Sequence, residues 1–331
     1  MPASTKKYLK YVSFLGAGLI LSLIALGFDR NLAAALSPDV VAQGSKAVGG
    51  VTQVNLFQAI VLGFVQGATE FIPISSTAHL KAVPVFLGWD DPGVAFSAVI
   101  QLGSLAAVLS YFWSDISQIT TGMIRAVRTR NYDSQAFWLA VGIAVGTVPI
   151  VLLGLILKVF EPPFYENILR SMPSIAIVSI VMALFLALAE SVGNQKRNFQ
   201  DLKLKDGILL GCAQALAIIP GVSRSGSTLT AGLFNNLERA TAAKFSFLLG
   251  IPAIALSGFV ELKDMVSSGA ASSGLVPLVA GLISSAVFSY LAIAWLLKFL
   301  QRRSTWVFVW YRLGFGVFIL AALALGWIEN V

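Results

Sequence analysis

Two apolar segments of this chain are interrupted by residues that a lipid-facing helix cannot carry. The first, residues 56–87, contains Pro73, and the second, residues 204–237, contains the run PGVSRSGST from Pro220 to Thr228. Backbone polar groups freed at such a break cannot stay unpaired in lipid, so they must face protein or a water-filled cavity. We therefore predict two re-entrant helical hairpins, each of which enters and leaves on one side of a membrane.

The remaining apolar runs predict membrane-spanning helices, which need about 20 residues each. They are residues 11–28, 94–113, 137–157, 174–189, 242–262, 275–297 and 306–327. Only 12% of the chain is charged, whereas soluble domains carry roughly 25%. The predicted fold class is therefore an all-α polytopic membrane protein in one bundle.

The first 55 residues stand apart from this bundle. The basic start KKYLKY, an apolar stretch and NLAAALS are typical of either a signal peptide or an anchor helix. The length of the apolar stretch favours a retained anchor. We predict an N-terminal helix and polar linker at residues 1–55, followed by a membrane-embedded domain at residues 56–331.

The distribution of basic residues predicts the orientation. With the N-terminus in the cytoplasm, thirteen basic residues fall in inside segments, namely Lys6, Lys7, Lys10, Arg125, Arg128, Arg130, Lys196, Arg197, Lys203, Lys205, Lys298, Arg302 and Arg303. Six fall outside, namely Arg30, Lys46, Lys81, Lys158, Arg170 and Lys263. This excess agrees with the positive-inside bias. The net charge of +7 is thus a topology signal, and we expect no nucleic acid partner.

The two interrupted segments resemble each other. The matched pairs are Leu56 with Leu204, Gly63 with Gly211, Gln66 with Gln214, Pro73 with Pro220 and Ser76 with Ser223. Each half, residues 56–190 and 204–329, would contain one hairpin plus three spans. Because three is odd, the second half would be inverted, and the two hairpin tips would meet near the bilayer midplane. Transporters build their binding sites in such inverted repeats.

The second tip predicts an anion site around Arg224. Its other members are Gly221, Ser223, Ser225, Gly226, Ser227 and Thr228. A helix N-terminus with free N–H groups favours an anion, the glycines allow close approach, and a guanidinium binds phosphate in a bidentate manner. The alternative is a serine-rich helix cap whose arginine pairs with a carboxylate elsewhere.

The first tip supplies reactive groups, namely Glu70, Ser75, Ser76, Thr77 and His79. Glu70 could pair with the arginine or, with Gln66, hold Mg²⁺ or Ca²⁺ through oxygen ligands. His79 could act as nucleophile or acid–base catalyst, and Ser76 as nucleophile if His79 takes its proton. The alternative for His79 is a structural helix histidine. Arg312 is a further cation within an apolar run, for which neutralising a carboxylate or the substrate and a structural pairing are both open.

These two stretches resemble the motifs of the undecaprenyl-pyrophosphate phosphatase family of the bacitracin-resistance type. QGATEFIPISSTAHL fits its first motif, with Gln66 as the permitted alternative to Glu, and PGVSRSGST fits every fixed position of its second motif. The resemblance extends from about residue 56 to the C-terminus. Gln66 removes one possible carboxylate ligand, which disfavours a two-carboxylate metal site.

The resemblance implies removal of the terminal phosphate from a C55 isoprenoid pyrophosphate. It also implies recycling of the carrier for peptidoglycan synthesis, bacitracin resistance, a divalent cation (Mg²⁺ or Ca²⁺) and a site facing the periplasmic side of the bacterial inner membrane. By position, Glu70, Ser76, His79 and Arg224 would be catalytic, and Glu70 and Gln66 would hold the metal. The substrate-binding residues would be Ser75, Thr77, Gly221, Ser223, Ser225, Gly226 and Thr228.

Two other classes of protein are alternatives to this family. Acid-phosphatase-like lipid phosphatases need several histidines, and this chain has one. A transporter or lipid flippase suits an inverted repeat equally well and remains the alternative. Predicted partners are the polyisoprenyl pyrophosphate and membrane lipid, with a homodimer as an open alternative to a single chain.

Overall fold

The computed structural model describes residues 54–160, 162–267 and 275–329. Within these ranges the chain is helical and forms no β-strand. The predicted N-terminal helix at residues 11–28 and the linker at residues 29–53 lie outside the described residues.

Eleven α-helices occur in the described part of the chain. They are α1 Leu56–Glu70, α2 Ser76–Leu87, α3 Gly93–Tyr111, α4 Trp113–Thr129, α5 Gln135–Phe160, α6 Met172–Val192, α7 Leu204–Ala215, α8 Arg224–Phe234, α9 Arg239–Ser267, α10 Leu275–Leu300 and α11 Trp306–Ala324. A π-helical turn, Tyr165–Leu169, precedes α6, and 3₁₀ turns at Phe199–Asp201 and Leu216–Ile218 flank α7.

Six helices are long and apolar enough to cross a membrane: α3, α5, α6, α9, α10 and α11. They coincide with the six spans predicted after residue 93, so the protein is a multi-pass membrane protein. Because consecutive spans alternate in direction, α3, α6 and α10 end on the side where α5, α9 and α11 begin. We call this the basic side, since Arg125, Lys203 and Lys298 lie there.

The interrupted segments form two short helix pairs, α1–α2 and α7–α8. Their helices have 15, 12, 12 and 11 residues, fewer than a span needs. Asn55 begins α1 with a capping box, and serines cap α2 and α8. Each pair therefore makes a hairpin whose turn lies inside the protein.

The helix α4 was missed in the sequence analysis, which placed its arginines in a loop. It is amphipathic: Ile116 and Ile119 pack against the core, whereas Arg125 and Arg128 are exposed. Its 17 residues contain too many polar side chains for a span. An amphipathic helix with basic residues at its end is typical of a helix that lies along a membrane surface.

Packing places both hairpins against helices of the other half of the chain. Helix α1 packs along α10 and α7 along α5, while α3 packs on α10 and α9 on α5. Helices α6 and α11 also pack together, as do α3 and α9. Glycines permit the closest approaches, since a Cβ on Gly63 would lie 2.8 Å from Ser284 Cβ and one on Gly211 would overlap Gly146. Small residues of this kind let helices pack tightly in membranes.

Candidate functional site

The two hairpin turns have the same local construction. Ser75 begins α2 with φ 76° and Ser223 begins α8 with φ 71°. Non-glycine residues rarely adopt positive φ, at a cost on the order of 1–3 kcal/mol. Each serine accepts a hydrogen bond from the backbone three residues on, at Ala78 and Gly226. Ser75 therefore corresponds to Ser223, and the two serines are separated by the same number of residues as Leu56 and Leu204. The predicted pairing of Ser76 with Ser223 was off by one residue because it dropped one residue to align Pro73 with Pro220.

Glu70 and Arg224 join the two tips directly. Arg224 Nη2 donates to Glu70 Oε1 at 2.5 Å. The other oxygen, Oε2, accepts from Gln66 Nε2 and from Ser76 Oγ, both at 2.7 Å. The carboxylate is 6% exposed, so its charge is balanced by these donors rather than by water. The structure thus brings together four of the residues that the sequence analysis assigned to the site.

Arg224 is held by a second helix as well. Its Nη1 donates to the Gly250 carbonyl on α9 at 2.7 Å. A Cβ on Gly250 would lie 2.5 Å from that nitrogen, so glycine leaves the space that the guanidinium occupies. Gly250 could not be identified from the sequence, because it lies in an uninterrupted apolar span with no local signal.

Two predicted phosphate-binding hydroxyls already have protein partners. Ser225 Oγ donates to the carbonyls of Glu70 and Ile72, each at 3.2 Å. Thr228 Oγ1 bonds to Ser246 Oγ on α9 at 2.5 Å. Ser225 therefore fastens one tip to the other, and Thr228 fixes α8 against α9.

The two glycines of the second tip lie close to other groups of the protein. Gly221 has φ 93°, and a Cβ there would lie 2.8 Å from the Ile175 carbonyl. A Cβ on Gly226 would lie 2.9 Å from Arg312 Nη1. Both positions require close approach of the backbone to neighbouring groups.

His79 lies on α2 and contacts Ser75, Tyr311 and Phe315. Its Nδ1 bonds to the Ser75 carbonyl and its Nε2 to the Tyr311 hydroxyl, both at 2.7 Å. The ring stacks on Phe315 with centroids 4.4 Å apart. A carbonyl only accepts, so Nδ1 carries the hydrogen, and in a neutral ring Nε2 accepts from tyrosine. Thr77 takes no part here, and its hydroxyl bonds to Ser75 Oγ.

Arg312 connects both tips through carbonyl groups. The side chain is buried, and it donates to Pro73 O of the first tip and to Gly221 O and Val222 O of the second. Its Nε donates to Ser179 O on α6. In the described part of the chain it has no carboxylate partner. Of the two roles left open for Arg312, these contacts match the structural pairing.

The donors for a divalent cation are few. Among residues 54–160, 162–267 and 275–329, no three His, Cys, Asp or Glu side chains cluster as a metal site. Gln66 Oε1, however, is buried without a hydrogen-bond partner, next to the Glu70 carboxylate. One carboxylate and one amide oxygen fit a hard cation whose remaining ligands come from substrate phosphate and water, as is common for Mg²⁺.

Comparison with known proteins gives matches over most of the chain. Residues 59–318 match the family model described as bacitracin resistance protein BacA. The chain is 57% identical to an undecaprenyl-diphosphatase of Synechocystis sp. over 320 residues, covering 96% of this chain and 98% of the relative. An undecaprenyl-diphosphatase of Nostoc sp. is 59% identical, over 85% of this chain and 88% of its own length. One of Gloeobacter violaceus is 58% identical, over 84% and 96%. The Synechocystis match reaches into the first 55 residues.

Proposed function

The chain belongs to the bacitracin resistance protein BacA family, and on that premise we propose that it hydrolyses undecaprenyl pyrophosphate to undecaprenyl phosphate and inorganic phosphate. The observation that supports this most directly is the contact of Arg224 on one tip with Glu70 on the other, beside the Ser76 hydroxyl. It unites a phosphate-binding cation, a base and a nucleophile in a buried polar site.

The pyrophosphate would be held by the second tip. Arg224 is 14% exposed and can exchange its carboxylate partner for a phosphate, which guanidinium binds with two parallel hydrogen bonds. Ser223 and the N-terminus of α8 add donors whose dipole favours an anion. Ser75 and Thr77 occupy the equivalent start of α2 on the opposite tip. Positioning and charge stabilisation of this kind are the main contribution of proteins to phosphoryl transfer.

Ser76 is the nucleophile that the geometry favours. Its hydroxyl already donates to Glu70 at 2.7 Å. When phosphate takes Arg224, Glu70 Oε1 is freed from the ion pair, while Oε2 keeps its bond to Ser76 Oγ and can accept its proton. Ser76 Oγ then bonds to the terminal phosphorus, its proton passes to Glu70, and the bond from phosphorus to the bridging oxygen breaks. Undecaprenyl phosphate leaves, and water then hydrolyses the phosphoserine.

His79 would support this step rather than perform it. Its Nε2 lone pair is directed at the Tyr311 hydroxyl, so it would have to break that bond to attack phosphorus. The Ser75 carbonyl that it binds belongs to the strained residue beginning α2. His79 therefore fixes the turn from which Ser76 projects.

A divalent cation, Mg²⁺ or Ca²⁺, would be held by Glu70 and the unpaired Gln66 Oε1. When bound, it would offset negative charge on the pyrophosphate oxygens. Because only one carboxylate is present, substrate oxygens would have to complete its ligands.

The fold would be an inverted repeat of residues 56–190 and 204–329, each with a hairpin and three spans. The packing supports this, because two contacts between the halves form equivalent pairs: α1 on α10 with α7 on α5, and α3 on α10 with α9 on α5. With the basic side in the cytoplasm of the bacterial inner membrane, the first hairpin enters from the periplasmic side. There the enzyme would recycle the carrier for peptidoglycan synthesis, and its overproduction would confer bacitracin resistance.

The direct test is phosphate release from C55 pyrophosphate by purified protein in detergent, with and without EDTA. We expect release that EDTA abolishes and Mg²⁺ or Ca²⁺ restores. Arg224→Ala should abolish turnover, and Arg125→Ala, an exposed arginine on α4, should not. Folded protein that releases no phosphate yet binds undecaprenyl phosphate would instead indicate a lipid transporter.

A further inference from the structure

A polar cavity lies on the basic side, away from the two tips. Its volume is about 480 Å³, and it is formed where α3 and α10 end and where α4 and α9 begin. The polar and charged side chains that line it are Tyr111, Asp115, Thr241, Lys244, Lys298 and Gln301. No residue of the proposed catalytic site belongs to it.

The cavity has a net positive charge. Lys244 Nζ pairs with Asp115 Oδ1 at 2.5 Å and lies 4.5 Å from the centre of the Phe199 ring. Lys244 therefore offsets the charge of Asp115, the one carboxylate that lines the cavity. Lys298 is exposed and has no ion-pair partner in the described part of the chain. One uncompensated ammonium group therefore faces a cavity with further hydrogen-bond donors.

The backbone adds to this preference for an anion. Ala240 and Thr241 line the cavity from the first turn of α9, a helix of 29 residues. The N–H groups of a first turn have no carbonyl within their own helix, and the helix dipole makes that end positive. Gln301, at the end of α10, can donate from its amide. Lys298 and the Gln301 amide line the cavity with groups that can donate to phosphate oxygens, and the Thr241 hydroxyl donates to Glu238 Oε2 at 3.4 Å.

Three aromatic rings separate this cavity from the catalytic residues. Phe112 lines the cavity, and its ring centroid is 6.3 Å from that of Phe247. Phe247 packs edge-on against Phe71 at 5.0 Å, and Phe71 follows Glu70 in the chain. Phe71, Phe112 and Phe247 are all buried. A ligand in the cavity would therefore occupy a site distinct from the pyrophosphate site.

Exposed tryptophans beside the cavity indicate that it lies at the level of the lipid headgroups. Trp113, which follows Phe112, is 69% exposed, and Trp295, which follows the cavity residue Ala294, is 48% exposed. Exposed tryptophans of membrane proteins concentrate at the interface between lipid and water. We propose that this cavity binds the phosphate group of an anionic lipid headgroup in the leaflet on the basic side.

Native mass spectrometry of protein purified in an equimolar mixture of phosphatidic acid and phosphatidylcholine tests this site. We expect the wild type to retain phosphatidic acid preferentially. Lys298→Gln should weaken that retention about fivefold, because one basic residue near a membrane surface contributes about 1 kcal/mol to binding of anionic lipid. Lys205→Gln removes an exposed lysine on the same side, outside the cavity, and should leave retention unchanged.

Two further measurements are needed. One distinguishes a bound lipid from free phosphate, and the other distinguishes this cavity from the proposed catalytic site. Inorganic phosphate at millimolar concentration should not displace the retained lipid; displacement that depends on Lys298 would show that free phosphate is the occupant and overturn the lipid proposal. Arg224→Ala should retain phosphatidic acid as the wild type does, since the cavity does not depend on the catalytic tip. Equal retention of both lipids, or unchanged retention in Lys298→Gln, would also refute the proposal. None of these readouts requires hydrolysis.

Discussion

Glu70 and Arg224 are 154 residues apart in the chain and form an ion pair of 2.5 Å between the tips of two hairpins. Breaking a buried pair by removing one partner leaves an uncompensated charge, which is costly. A phosphate that replaces Glu70 would spare Arg224 that cost, and the proton of Ser76 or a divalent cation would compensate Glu70. In the proposed mechanism, the resting pair keeps the arginine in position until the pyrophosphate binds.

Glu70→Gln should abolish most of the activity while preserving the packing of the tips. Glutamine is nearly the same size and can still bond to Ser76 and Arg224, but it cannot accept a proton. We expect turnover to fall about 10²–10⁴-fold, the usual contribution of a general base, with a smaller change in KM. Phosphate release under saturating substrate measures this effect.

The matched control is Glu238→Gln, which removes an exposed carboxylate at the start of α9. It should retain the activity of the wild type. If Glu70→Gln lowered only the affinity for substrate, with kcat unchanged, Glu70 would not be the proton acceptor.

Trapping the phosphoenzyme distinguishes Ser76 from His79. After brief incubation with substrate labelled in its terminal phosphate and quenching in acid, we expect label on the wild-type protein, because phosphoserine survives acid whereas phosphohistidine does not. Ser76→Ala should carry no label, and His79→Gln should still carry some. Ser191→Ala, an exposed serine at the end of α6, is the matched control.

The opposite results have equally clear meanings. Label that is lost in acid, stable in alkali and present in Ser76→Ala would make His79 the nucleophile. The complete absence of label during rapid turnover would indicate direct attack by water. Either result would contradict the role proposed for the bond between Ser76 and Glu70.

Gly250→Ala should impair catalysis without unfolding the protein. The new methyl group would lie 2.5 Å from Arg224 Nη1 and 2.8 Å from its Cζ. These atoms end a flexible side chain, so the guanidinium moves rather than the backbone. Because a displacement near 1 Å at a reacting site can cost about 10²-fold, we expect kcat/KM to fall by about 10–100-fold.

Gly314→Ala is the control for that substitution, since a Cβ there meets nothing within 4 Å. It should leave activity unchanged and raise the apparent Tm slightly, because alanine favours a helix over glycine by about 0.5–1 kcal/mol. Wild-type kcat/KM in Gly250→Ala would mean that the position of Arg224 is not critical.

The spans and the interrupted helices could be predicted from the sequence because both follow from local composition. Apolar runs of sufficient length predict helices wherever they occur, and Pro73 and the PGVSRSGST run mark their own breaks. The meeting of the tips followed from a weak repeat and an odd number of spans. The predicted meeting of the tips is confirmed by the ion pair between Glu70 and Arg224.

The partners within the site could not be predicted in the same way, because they depend on which faces of distant helices meet. Tyr311 and Gly250 lie in continuous apolar helices, where nothing local marks them as neighbours of His79 or Arg224. Pairing His79 with Ser76 rested on their sequence spacing alone, yet each bonds elsewhere. Helix α4 was missed because its apolar residues recur every three to four positions between polar ones and form no continuous apolar run.

Arg312 offers a test of how the tips are held. Its guanidinium donates to Pro73 O on one tip and to Gly221 O and Val222 O on the other. Arg312→Met keeps the apolar volume but leaves these buried carbonyls unpaired, and each unpaired group costs about 1–3 kcal/mol. We expect a marked fall in apparent Tm in detergent, whereas the exposed Arg125→Met should melt as the wild type does.

Arg312→Lys separates charge from geometry at the same position. Lysine keeps the positive charge but offers one compact ammonium in place of a planar group that reaches both tips. If Arg312 acts by holding the tips in register, Lys should lower turnover per folded molecule nearly as much as Met does. If the charge itself acts on the pyrophosphate, Lys should restore a large part of the activity. Phosphate release, normalised to the folded fraction from the melting curves, decides between the two, and substantial restoration by Lys would contradict the structural role assigned to Arg312.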